Sequence, residues 1–249
     1  MKIYKNIFIL VILFISNVCF SKNIMIDVGH NLKQQGTISA YGDYEFNYNK
    51  LFVRDLYKTL KPENDVRVVG YDGLTEKLEA RTVNTANYDL FISIHHDAVQ
   101  SQHLKKWIYN GQEQIYNDEV SGFGIFVSEK NPRFEKSLEC ATGLANELVK
   151  RGFKPNLYHS LNIPNEQKQL YSKNGVYRYD NLVVLKTARS PAILIEVGVL
   201  TNRLEVQEIV KQEFRDKFNE AIKLSINKCL KWAYTGSFFL ISKKIMIKY

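Results

Sequence analysis

The chain has 249 residues, 45% hydrophobic and 24% charged, values of an ordinary globular protein with enough apolar material for a substantial core in one domain. Its formal net charge of +8 fits either a generally solvated basic surface or a polyanionic partner. No zinc-finger spacing or helix-turn-helix pattern accompanies that charge, which argues against nucleic acid.

The N-terminus stands apart from the globule. Lys2 and Lys5 precede an apolar run from Ile7 to Ile15, and Ser16, Cys19 and Ser21 follow. This is the order of a secretory signal, too short for a comfortable membrane span. Cleavage is expected after Ser21, so that residues 1–21 are a signal peptide and the mature chain begins at Lys22, outside the cytoplasm. Losing Lys2 and Lys5 takes the formal charge from +8 to +6. In an exported protein a polyanionic partner is cell-wall polymer or membrane surface. Cys140 and Cys229 survive processing, and an oxidising compartment permits a bridge between them. Their separation in space is not readable from sequence, which leaves the pairing open.

Residues 24–28 read as a first strand, ended by Gly29-His30. Residues 31–43 carry Asn31, Gly36, Ser39 and Gly42 and have the look of an active-site loop. From Tyr44 the period becomes helical, with Tyr48, Phe52, Leu56 and Leu60 one turn apart and Pro62 as the stop, so Glu45 falls in the first turn. Residues 66–70 form a second strand, and residues 74–87, with Thr75 as cap, a second helix. Residues 90–94 are a strand buried on both faces, normally a parallel one in α/β proteins, and they end at His95-His96-Asp97. Residues 99–120 read as a polar, aromatic, irregular insertion, and 122–128 as a strand. A helix over 133–150 is followed by Gly152. Residues 153–181 are a long connection, and 182–185 and 192–197 two more buried strands. Asn202 with Glu205 resembles a capping pair for one last long helix, whose stripe holds Phe214, Phe218, Ile222 and Ile226. Residues 233–249 are a tail of unknown role.

Four groups stand out: His30, Glu45, His95 and Glu196. A lone histidine at a strand end is usually no more than that, and Glu45 alone is explained as a first-turn acid favoured by the helix dipole. Three such strand ends together change the balance. Two imidazoles and a carboxylate are a zinc set that leaves a position for water or substrate. Glu196, among Ile, Leu and Val, must be paired, bound or raised in pKa, and suits proton transfer beside such a metal.

Asp27-Val28-Gly29-His30, Glu45, Ser93-Ile94-His95-His96-Asp97-Ala98, Pro191-Ala192-Ile193-Leu194-Ile195-Glu196-Val197-Gly198 and Thr201-Asn202 resemble, in order and spacing, the motifs of the zinc-dependent N-acetylmuramoyl-L-alanine amidases. The resemblance spans residues 24–232. It implies a single α/β domain with a twisted, mostly parallel sheet of about six strands and helices on both faces. It also implies hydrolysis of the amide between N-acetylmuramic acid and L-alanine in peptidoglycan. Carried over by position, one Zn2+ is held by His30, Glu45 and His95, with Glu196 as catalytic acid/base. His96 is the rival of His95; strand alternation turns the two apart and the family position favours His95. Trp107, Tyr109 and His159 are candidate substrate contacts.

The chain departs from the family at Asn31-Leu32, where a Gly pair is common, and in the 99–120 insertion. Some relatives carry an occluding regulatory helix, a role open to 99–120 or 153–181. The partner expected is peptidoglycan, both glycan strand and stem peptide, with a protein activator left open; nucleic acid and a membrane span of the mature chain are not expected. The location implied is the periplasm or cell envelope. A zinc carboxypeptidase acting on stem peptides and a non-catalytic peptidoglycan-binding protein are the alternatives.

Overall fold

The structure, a computed structural model, describes residues 21–160 and 168–231. The expected signal peptide, Ser21 aside, and the tail 233–249 lie outside the described residues. In chain order the elements are β1 (Asn23–Val28), α1 (Glu45–Leu60), β2 (Asp65–Val69), β3 (Leu90–Asp97), β4 (Lys105–Tyr109), β5 (Gln112–Tyr116), β6 (Gly124–Val127), α2 (Phe134–Lys150), β7 (Gln169–Ser172), β8 (Val176–Arg178), α3 (Val183–Thr187), β9 (Ala192–Val199), α4 (Arg203–Ile209) and α5 (Gln212–Cys229), with short 3-10 turns between some of them.

Seven strands form one sheet in the order β2-β1-β3-β9-β6-β8-β7. The pairings β2/β1, β1/β3 and β3/β9 are parallel, as is β6/β8. Those of β9 with β6 and of β8 with β7 are antiparallel. β1, β3 and β9 read as almost unbroken apolar runs because both their faces are covered. Ile24, Ile26 and Val28 of β1 meet one core with Phe52 and Leu56 of α1, Leu144 of α2 and Phe218 of α5. Met25 meets the other, with Phe91, Tyr177, Leu194 and Val184 and Leu185 of α3. Parallel pairing brings the carboxyl ends of β1, β3 and β9 to one edge, where ligands collect in such sheets.

The α/β fold with helices on both faces is as expected, and the local departures have physical reasons. Residues 183–187 form α3, a helix that buries Val184 and Leu185; a short apolar run fits either a strand or a buried helix, and only its neighbours decide. The strand lost there is replaced by β7 and β8 from the stretch read as connection. Residues 74–87 make two 3-10 turns, Leu78–Thr82 and Thr85–Asn87, with no side-chain cap; their polar core group, Arg81, is drawn inward by the ion pair described below.

The insertion is a hairpin of β4 and β5. Its turn is Asn110-Gly111, both at positive φ, the Asn-Gly chemistry that closes tight hairpins. The last helix is split into α4 and α5. Asn202 caps α4, its Oδ1 accepting from Leu204 and Glu205 N–H at 3.0 Å each. Glu205 does not return the bond as in a capping box: its carboxylate accepts from Val199 N and Gly122 N, each at 2.8 Å.

Cys140 of α2 and Cys229 of α5 form a disulfide, with their Cα atoms 5.2 Å apart and a sequence separation of 89. Closing a loop of that size restricts the unfolded chain by about 4–5 kcal/mol on the chain-entropy model. Cys140→Ser with Cys229→Ser is expected to lower the unfolding free energy by up to about this amount, read from denaturant curves of both proteins under non-reducing conditions.

Candidate metal centre

His30 follows the end of β1. Gly29 N–H donates to Ile94 O at 2.9 Å, which keeps the chain on the sheet, and His30 then turns off it with φ 68°. A non-glycine residue at positive φ is uncommon and needs support. Arg81 supplies it. This guanidinium is 1% exposed, pairs with Asp27 at 2.8 Å, and donates to the carbonyl oxygens of Val28 and His30 and to Thr75 O at 3.1 Å. Ser93 of β3 donates to the other oxygen of Asp27 at 2.7 Å. Losing either member of such a buried pair costs about 3–5 kcal/mol, which marks Asp27 and Arg81 as supports of the His30 turn.

The loop from His30 to Glu45 is built by local bonds. Asn31 Oδ1 accepts from Lys33 N and Gln34 N at 2.9 and 2.8 Å, an Asx turn. Thr37 O and Gln35 O accept from Glu45 N and Phe46 N at 2.8 and 3.0 Å, which fixes where α1 begins. The β4/β5 hairpin braces the same loop: Trp107 Nε1 donates to Ala40 O at 3.0 Å. Tyr41 meets Trp107 and Tyr109 edge to face, with centroids 5.6 and 4.9 Å apart, and the Arg203 guanidinium lies over Trp107 and Tyr116.

Glu45 is the centre of the cluster. Its residue is 4% exposed. His30 Nε2 lies 2.9 Å from Oε2 and His95 Nδ1 3.0 Å from Oε1. Burial alone would raise its pKa; the hydrogen bonds and charges of His30 and His95 overcome that and hold the carboxyl well below the usual range. One donor atom from each of His30, Glu45 and His95 lies within 4.8 Å of the others. The space around them depends on missing side chains. A Cβ on Gly36 (φ 79°) would sit 2.3 Å from Glu45 Oε2 and 2.7 Å from His30 Nε2, and one on Gly29 would sit 2.4 Å from His95 Nε2. The donor types and the cleared space both fit a divalent cation of the zinc class.

His96 turns away, as alternation requires. It is 2% exposed, with Nδ1 2.7 Å from Asn49 Oδ1 and its ring near Phe52 and Tyr48. Burial pushes its pKa down to about 3, so the ring is neutral. Glu196 stands opposite His95 in the β3/β9 register. Its Oε2 is buried and without a hydrogen-bond partner among the described residues. Burial first, then the charges of Asp97 and Glu45, push this carboxyl well above the usual range, with Lys168 opposing.

Trp107 and Tyr109 lie on the hairpin, half-buried against the loop. His159 is 3% exposed and sits beside Asp97, Nε2 to Oδ2 at 2.6 Å, with Lys168 Nζ 2.9 Å from its Nδ1. Sequence reading placed Gly36 in the candidate loop and Asp27 in the first motif without assigning either a task, and it missed the parts played by Arg81 and Asn49. The spacing of Asn49, four residues after Glu45 on a helix, was the one available signal.

A family model described as "Amidase_3: N-acetylmuramoyl-L-alanine amidase" matches residues 24–228. A putative N-acetylmuramoyl-L-alanine amidase of Buchnera aphidicola is 22% identical over 219 residues, covering 82% of this chain and 94% of that one. The probable cell wall amidase LytH of Staphylococcus aureus is 25% identical over 204 residues, covering 81% of this chain and 56% of LytH. Among solved structures, an N-acetylmuramoyl-L-alanine amidase of Clostridium difficile 630 superposes with a TM-score of 0.64 at 23% identity, over 84% of this chain and 97% of that one. Ami1 of Mycobacterium abscessus gives 0.65 at 19% identity, over 85% and 100%.

Gly36→Ala places a Cβ among the donor atoms at a backbone angle that disfavours it. The expected result is a loss of about 1–3 kcal/mol of stability with a clear weakening of divalent-metal uptake, measured by equilibrium dialysis of the folded variant. Uptake equal to that of the parent would mean that Gly36 does not clear the site.

Proposed function

The chain belongs to the Amidase_3 family, the N-acetylmuramoyl-L-alanine amidases, and we propose that it hydrolyses its peptidoglycan amide with Zn2+ held by His30, Glu45 and His95 and with Glu196 as the proton-transfer group. The bond cleaved joins the lactyl group of N-acetylmuramic acid to the L-alanine of the stem peptide. The observation that carries the reading is the convergence of two imidazoles on one buried carboxylate, with Glu196 in register opposite His95.

Zinc bound there supplies a Lewis acid that polarises a carbonyl and lowers the pKa of water toward neutrality. Gly36 and Gly29 leave room for it. Glu196 takes the proton of the attacking water and delivers it to the nitrogen of the departing L-alanine. Burial and a high proton affinity suit the delivery half of that task. The edge-to-face packing of Trp107 and Tyr109 on Tyr41 supports a bracing role in the loop that carries Gly36. Burial of His159 beside Asp97 supports a role beneath the site.

We place the enzyme outside the cytoplasm, in the periplasm or cell envelope. The signal-like segment 1–21 supports this, as does a disulfide of the kind that persists in oxidising compartments. Among the described residues no helix is long and apolar enough to cross a membrane.

Zinc content and turnover separate the roles. Glu45→Ala is expected to lose the metal, whereas Glu196→Gln keeps about one zinc per chain on the three-ligand pattern and loses roughly 10²-fold or more in rate. Metal analysis of both folded variants, with mass spectrometry of digested sacculi, checks this. Fragments cut elsewhere in the stem peptide would replace the amidase reading with a carboxypeptidase one, and near-normal turnover by Glu196→Gln would remove that residue from catalysis.

A further inference from the structure

We propose that Asn49 is a positioning residue of the metal centre, tying together all three ligand-bearing segments through one side-chain amide, and that His96 holds it in that orientation. The inference rests on the reading of His30, Glu45 and His95 as a zinc site.

Asn49 is fully buried and lies one turn beyond Glu45 on the same face of α1. Its Nδ2 carries two hydrogens. One is donated to Gly29 O at 3.1 Å, the carbonyl immediately before His30. The other goes to Glu45 Oε1 at 3.3 Å, on the ligand carboxylate itself. The remaining atom, Oδ1, stands 2.7 Å from His96 Nδ1, on the residue next to His95. A single amide thus reaches the backbone at the first ligand, the side chain of the second and the neighbour of the third.

The direction of each bond follows from the chemistry. Gly29 O and Glu45 Oε1 accept only, so both are met by the Asn49 NH2 group. Oδ1 then has to accept, and His96 must carry its hydrogen on Nδ1. Rotating the amide by half a turn would set Oδ1 against a carbonyl oxygen and a carboxylate, so the arrangement has one orientation. The His96 backbone adds a further bond, its N–H donating to Glu45 Oε1 at 3.1 Å. Thr37 N–H serves the other oxygen at 3.2 Å.

This gives the two adjacent histidines separate tasks. His95 faces the carboxylate, while His96, on the opposite side of the strand, fixes the amide behind it. Outer partners of this kind orient metal ligands, and their loss commonly costs 10–100-fold in affinity.

The test uses Zn2+ alone, titrated against a chelating dye, with the unfolding midpoint of each metal-free protein measured in parallel. Asn49→Leu keeps the volume and removes all three bonds, and it is expected to bind zinc about 10–100-fold more weakly. His96→Leu is expected to weaken binding in the same direction, and His96→Gln, which retains an N–H for Oδ1, to recover most of the loss at a comparable midpoint. A purely structural role would move the midpoints and leave the affinities alone. Folded Asn49→Leu with parental zinc affinity overturns the proposal, and so do His96→Leu and His96→Gln both at the parental value. A parent protein that takes up no zinc brings down the zinc reading itself, an outcome distinct from unchanged variants of a zinc-binding parent.

Discussion

Glu45 is a carboxylate buried at the base of a helix, and a buried charge has to be met by partners or be lost to protonation. Its partners are two imidazoles, an amide and two backbone N–H groups. They come from the turn after β1, the loop that follows, α1 and the end of β3, so four separate parts of the chain must be placed before the charge is tolerable. The rest of the molecule can be understood as the means of that placement. Parallel pairing aligns β1 and β3. Thr37 and Gln35 fix the first residue of α1. The Asp27–Arg81 pair supports the left-handed turn that aims His30.

The same carboxylate divides the site into unlike halves. On the Glu45 side, hydrogen bonds outweigh burial and keep the group ionised, the state a metal ligand needs. On the Glu196 side, one oxygen has no partner and burial favours the proton. Glu45 at the head of α1 and Glu196 of β9 are driven apart in proton affinity by their surroundings, which is how acid/base roles are commonly assigned. The nearby Asp97 adds to the contrast, since its charge acts on Glu196 and is itself held by His159 and Asn156.

The β4/β5 hairpin belongs to this arrangement more closely than its polar composition suggests. Its aromatic residues meet Tyr41, and Trp107 binds the carbonyl of Ala40. From the other side Leu200 O accepts from Ala40 N. The loop that carries Gly36 is therefore held between the hairpin and the chain leaving β9.

Much of the site was legible in the sequence because its signals are local. An apolar run that halts at a histidine, and an acid at the head of an amphipathic helix, identify His30, Glu45, His95 and Glu196 as polar groups needing a task. The Asn110-Gly111 turn was an equally local signal, and reading 99–120 as irregular passed over the hairpin it marks. What the sequence could not hold is anything decided by two distant segments meeting. Residues 182–185 have an apolar pattern that suits strand or helix, and in the fold all but Leu182 belong to helix α3, packed in one cluster with Tyr177 and Leu194. Cys140 and Cys229 pair because α2 and α5 lie side by side. Alternation told that His95 and His96 face opposite ways; that His95 meets Glu45 while His96 meets Asn49 was decided by where α1 sets those two side chains, since a side chain's partner depends on the fold that brings it there.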